Sequence, residues 1–76
     1  EGLYAFDKQK LKDILKKLEL YYDVKIFVKD VSILEYEYTG KFRQRDGVME
    51  VLRIIQKIHP FKIEQKEDTN EIILYR

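Results

Sequence analysis

The chain has 76 residues, of which 45% are hydrophobic and 38% charged, which is enough for one small core and too little for a second domain or a buried catalytic cavity. Fifteen basic residues against fourteen acidic ones leave a formal net charge of +1, so no long-range field gathers nucleic acid or anionic membrane. The chain has no cysteine, which removes disulfide frameworks and thiolate metal sites.

Residues 3–6 alternate as a short strand, and Asp7 is placed to cap a helix that follows. From Lys8 to about Tyr22 the apolar residues Leu11, Ile14, Leu15, Leu18 and Tyr21 or Tyr22 recur three and four apart, the spacing of one helix face. Asp23 breaks that pattern, and Val24, Ile26 and Val28 then alternate with Lys25, Phe27 and Lys29 as in a half-buried strand.

Residues 30–34 read as a connector and residues 35–42 as a second clear strand, with Tyr36, Tyr38 and Phe42 on one side and Glu35, Glu37, Thr39 and Lys41 on the other. Gly40 falls on the aromatic side, which predicts a bulge or the close approach of another backbone or ring. Asp46 is placed to cap a second helix whose face is Val48, Val51, Leu52, Ile55 and Ile58, and His59-Pro60 stops it. Residues 61–66 and 71–75 read as strands, and Asp68-Thr69-Asn70 turns between them as a hairpin.

Sliding the sequence against itself by 37 residues superposes Leu11 on Val48, Ile14 on Val51, Leu15 on Leu52, Leu18 on Ile55, Tyr21 on Ile58, Val24 on Phe61 and Ile26 on Ile63. Two copies of strand-helix-strand plus a final strand give the order β-α-β-β-α-β-β. The expected fold is therefore α+β, with two pseudo-repeated halves and two helices packed against small sheets.

Nothing in the chain has the spacing of a reaction centre. Ser32 and His59 are its lone serine and histidine, with no nucleophile motif around either. His59 reads as a cap of the helix C-terminus, the carboxylates lack calcium-loop spacing, and Gly2, Gly40 and Gly47 are too far apart to cradle a phosphate. No catalytic residue, cofactor or metal is expected, and the Lys8, Lys12, Lys16 row reads as a solvated helix face.

Aromatic residues are more telling, because Phe27 and Tyr75 fall on strand faces opposite the expected core. Tyrosine and phenylalanine exposed in this way suit protein interfaces. A domain with few strands also exposes sheet edges that can accept a partner strand.

The succession Tyr4-Ala5-Phe6, Leu11-Lys12-Asp13-Ile14-Leu15-Lys16-Lys17-Leu18, Tyr22-Asp23-Val24-Lys25-Ile26, Tyr38-Thr39-Gly40-Lys41-Phe42, Val51-Leu52 and Ile72-Ile73-Leu74 resembles the C-terminal domain of FecR-like anti-sigma factors of Bacteroides-type bacteria. It is also similar to the short N-terminal domain of secretins and TonB-dependent receptors. The resemblance implies a periplasmic module of a single-pass inner-membrane regulator in cell-surface signalling. Such a module is expected to bind the signalling domain of a TonB-dependent transporter or neighbouring domains of its own chain, while the sigma factor is held by a cytoplasmic N-terminal region.

Under that implication the expected interaction residues are Phe27, Tyr36, Tyr38 and Tyr75. The chain begins at Glu1 rather than Met, which fits a piece of a longer membrane-anchored protein, with no membrane insertion of this piece itself. A receptor or secretin-type short domain and a small nucleic-acid binder are the alternatives. Asp46-Gly47 departs from the family pattern, and a glycine there is expected to weaken the helix start by about 0.5–1 kcal/mol.

Overall fold

Strand β1 (Leu3–Lys10) runs directly into helix α1 (Leu11–Tyr22) in a computed structural model that describes residues 2–66 and 68–76. The strand is longer than its alternation predicts because it continues past a bulge. Beyond that irregularity Gln9 and Lys10 pair with Tyr38 and Glu37 of strand β3 (Glu37–Arg43). Lys8 adopts φ 52 at the bulge and donates its N–H to Thr39 Oγ1 at 3.0 Å. Asp7 consequently lies inside the strand and caps nothing. The helix starts at Leu11, whose N–H donates to the Tyr36 carbonyl at 2.7 Å, and Lys10 holds the N-cap position without a side-chain bond. Long-range pairing here overrides a local capping signal.

The helix buries Leu11, Ile14, Leu15 and Leu18, as its spacing predicts. Each of these side chains stabilises the fold by about 1.5–3 kcal/mol relative to exposure. Asp23 ends the helix in the left-handed conformation, φ 54, with its N–H donating to the Glu19 carbonyl. Strand β2 (Lys25–Val28) follows. The expected connector is a 3-10 turn over Val31–Glu35 that drives Ile33 into the core. Asp30 starts that turn by accepting from the Ser32 N–H at 3.0 Å and the Ser32 hydroxyl at 2.7 Å.

On β3 the inward residues are Tyr38, Gly40 and Phe42. Gly40 faces Phe6 across the ladder, and a Cβ on it would sit 3.5 Å from Phe42 Cζ. The Phe6 and Phe42 rings lie 5.5 Å apart beside it, so the expected approach of a ring to Gly40 is present. A 3-10 turn at Gln44–Asp46 leads to helix α2 (Val48–Ile58). Asp46 does not cap that helix, since its carboxylate lies 3.6 Å from Arg43 and the N-cap is Gly47. With φ 88 and ψ 156, Gly47 occupies a region essentially closed to other residues. The glycine is required by the turn and is not merely a weakening of the helix start.

Val51, Leu52 and Ile55 are buried on α2, whereas Ile58, expected on the same face, is 54% exposed. Strand β4 (Lys62–Gln65) and strand β5 (Glu71–Tyr75) form the expected hairpin. Asp68 takes φ 65 in its turn.

Two sheets result. One is the antiparallel pair β1–β3, and the other has the order β2–β5–β4, with β5 parallel to β2 and antiparallel to β4. The last strand thus lies between the two strands that end the repeated halves. The halves also meet in the β1–β3 ladder, where Tyr4 faces Phe42 and Phe6 faces Gly40. Side chains of both helices and all sheet layers join one core cluster. The α+β class and the two-helix, small-sheet architecture read from the sequence are what the chain adopts.

Candidate functional site

The outer face of the β2–β5–β4 sheet is built by strand alternation. Ile26 and Val28 of β2 pack against the core, and Ile72 and Leu74 of β5 belong to it, so Phe27, Ile73 and Tyr75 point the other way. The register sets Phe27 beside Ile73 and Ile73 beside Glu64, while Tyr75 sits beside Lys62. The Lys29 N–H donates to the Leu74 carbonyl at 2.8 Å, which brings Lys29 to the other side of Tyr75. One row of the face therefore reads Lys29, Tyr75, Lys62, and the next Phe27, Ile73, Glu64.

Phe27 is 49% exposed, and Ile73 and Tyr75 are half-buried. The Lys29 and Lys62 ammonium groups stand 5.9 and 6.0 Å from the centre of the Tyr75 ring. Both are within the range of attraction to its electron-rich face. Phe27 and Tyr75 are thus brought onto one surface, in adjacent rows.

Tyr36 and Tyr38 are not on it. Tyr38 is 3% exposed and belongs to the core, and burial, then the neighbouring Tyr36, pushes its hydroxyl pKa up to about 12. Tyr36 is half-buried and stacks on His59 at 4.2 Å, while Tyr38 meets the same imidazole edge-on at 5.3 Å. The sequence offered both tyrosines as docking rings, but Tyr38 lies on the core side of β3, and Tyr36, just before that strand, is half-buried against His59. His59 keeps its expected place at the C-terminus of α2, with its backbone N–H donating to the Ile55 carbonyl at 3.1 Å. Its imidazole fills an aromatic pocket, and Nδ1 is buried without a hydrogen-bond partner among the described residues, as is the Tyr38 hydroxyl.

Sheet edges are treated unequally. The outer edge of β2 is partly closed, because the Ile26 N–H donates to Glu19 Oε2 of α1 at 2.8 Å. A shallow groove of about 360 Å³ runs beside it between Lys12, Leu15, Lys16 and Glu19 of α1 and residues 26–28 of β2. On the other edge, Lys66 donates to the Glu71 carbonyl at 3.1 Å, and the alternation of an antiparallel ladder then turns the Ile63 and Gln65 N–H groups outward.

Among the described residues the groups that could react are engaged elsewhere. Ser32 is committed to Asp30, His59 to its two tyrosines, and among the described residues no three His, Cys, Asp or Glu side chains cluster as metal ligands. No helix of the described residues is long and apolar enough to cross a membrane. The lysines around Tyr75 escaped sequence reading, although the alternation of Lys25 and Lys29 with Phe27 was visible. What was missing was the pairing of β2 with β5, which joins residues 46 apart in the chain.

A model of the family described as FecR, C-terminal matches residues 3–74. No curated protein matches the chain significantly. Two crystal structures of a candidate anti-sigma factor from Parabacteroides distasonis share its fold, with TM-scores of 0.84 and 0.82 and 20% identity each. Each alignment covers 99% of this chain and 34% of the solved one, so the chain spans about a third of those structures. With nearly every residue inside the family match, the chain belongs to the FecR C-terminal domain family.

Proposed function

We propose that the chain is a non-catalytic protein-interaction module of a FecR-type anti-sigma regulator in cell-surface signalling. In this reading it is the periplasmic part of a longer, inner-membrane-anchored protein and docks the signalling domain of a TonB-dependent outer-membrane transporter, or a neighbouring domain of its own chain. The sigma factor is bound by a region outside this chain. Family membership and the fold shared with an anti-sigma factor candidate support the class of function.

The observation that carries the docking surface is the row Phe27–Ile73 beside Tyr75 on a sheet face that leaves Phe27 half in solvent. A hydrophobic centre with a charged rim is the general anatomy of a protein interface. The test is a pull-down of transporter signalling domains by this chain and by its Phe27→Ser and Tyr75→Ser variants, with folding checked by circular dichroism. Loss of capture by folded variants is the expected result. Undiminished capture removes this face from the interface.

A further inference from the structure

We propose that the Lys29–Tyr75–Lys62 row is a receptor for a carboxylate on the docking partner, and that an apolar side chain next to that carboxylate seats on Phe27 and Ile73. The proposal rests on the reading of this sheet face as the docking surface, and adds the chemistry of what docks there. Two lysines from different strands converge on one ring, at 5.9 and 6.0 Å from its centre. Neither makes an ion pair among the described residues, while the nearby Arg76 is already engaged with Asp30 at 3.7 Å.

Both lysines are exposed, and the ring's negative face satisfies only part of their charge. A carboxylate arriving at this end of the face can pair with the ammonium on either side of the ring, which the ring already draws toward it. The neighbouring row supplies the apolar seat, Phe27 and Ile73, and ends on Glu64. Positive charge is therefore concentrated at the Tyr75 end of the face, and the matching partner segment carries Asp or Glu at that end and an apolar residue at the other.

A polyanion is a poorer match than an acidic peptide. Glu64 stands on the same face, and Glu71 beyond it lies between Lys25 and Lys66, so a nucleic acid or an anionic lipid surface would meet two carboxylates among the lysines. The chain's net charge of +1 provides no wider field to offset them.

The experiment selects binders from a random linear peptide library displayed on phage, using the parent chain, the Lys29→Glu/Lys62→Glu variant and the Phe27→Ser variant. Thermal melts confirm that each is folded. The expected peptides pair Asp or Glu with a neighbouring apolar residue. A synthetic copy of such a peptide loses about tenfold in affinity toward the charge-reversed chain and weakens as salt rises from about 0.1 to 1 M.

Peptides without acidic residues that still lose binding to Phe27→Ser overturn the carboxylate receptor and leave the docking face standing. Peptides indifferent to all three substitutions overturn both. Poly-dT oligonucleotide or phosphatidylglycerol vesicles, run as separate probes, overturn the proposal if they bind more tightly than the peptides and lose that binding on charge reversal.

Discussion

The Glu19 carboxylate of α1 accepts the backbone N–H of Ile26 at 2.8 Å, and so occupies a donor on the free edge of β2. A side chain from the preceding helix does here what another strand would otherwise do, which blunts an edge open to unwanted pairing. It also turns attention from the β2 edge to the outer face of the same sheet, where the exposed aromatic surface lies.

Replacing that carboxylate exposes its role. Glu19→Ala leaves a partly buried N–H without an acceptor and is expected to cost about 1 kcal/mol in urea denaturation. Glu19→Gln keeps an acceptor and is expected to recover most of that loss. Sedimentation should show more self-association for the alanine variant, because its edge is open. An alanine variant as stable and as monomeric as the parent would mean that the bond guards nothing.

The two glycines around β3 separate backbone strain from packing. Gly47→Ala forces a side chain into φ 88 and is expected to destabilise by about 1–3 kcal/mol. Gly40→Ala adds a methyl at ordinary contact distance from the Phe42 ring, so its melting temperature should stay close to the parent's. Equal losses at both positions would contradict this assignment.

Tyr38 contributes to the loss of stability at alkaline pH. Its hydroxyl pKa is raised to about 12 by burial, against ~10 when unfolded. The unfolded chain therefore releases this proton first, so the Tyr38 contribution is complete below pH ~10 and is lost as pH rises through about 12, by on the order of 2 kcal/mol. Tyr38→Phe removes a buried hydroxyl without a partner and is expected to be neutral or stabilising by up to ~1 kcal/mol. It should also flatten this alkaline limb in chemical denaturation measured across pH. A clear destabilisation by Tyr38→Phe would show that the hydroxyl is satisfied.

The repeated halves are not equivalent at their ends. Tyr21 stacks on Tyr4 at 3.9 Å, whereas its counterpart Ile58 is 54% exposed. Ile55→Ala is therefore expected to cost about 2–5 kcal/mol, and Ile58→Ala under ~0.5 kcal/mol. Comparable losses would place Ile58 in the core.

Helix faces were legible because Leu11, Ile14, Leu15 and Leu18, and again Val51, Leu52 and Ile55, repeat with a period that only a helix satisfies. Cap positions were not. Asp7 and Asp46 have the right chemistry, but the β1–β3 ladder claimed the first segment and Gly47 the second. Alternation correctly separated Phe27 and Tyr75 from the core, because Ile26, Val28 and Leu74 are unambiguous partners on the opposite side. It did not reveal that Tyr38 is buried, since an aromatic row does not show whether it faces a core or a partner. The lysine pair at Tyr75 depends on strand register across the sheet, which local spacing does not encode.

Docking of another protein through Phe27, Ile73 and Tyr75 is the proposal on which the functional reading stands. Backbone amide shifts of the isotope-labelled chain, followed by NMR while a transporter signalling domain is added, test it most directly. The expected shifts are concentrated on β2, β4 and β5 and are abolished in a folded Phe27→Ser variant. Shifts centred instead on the exposed Ile54 and Ile58 of α2, unchanged by that substitution, would contradict it.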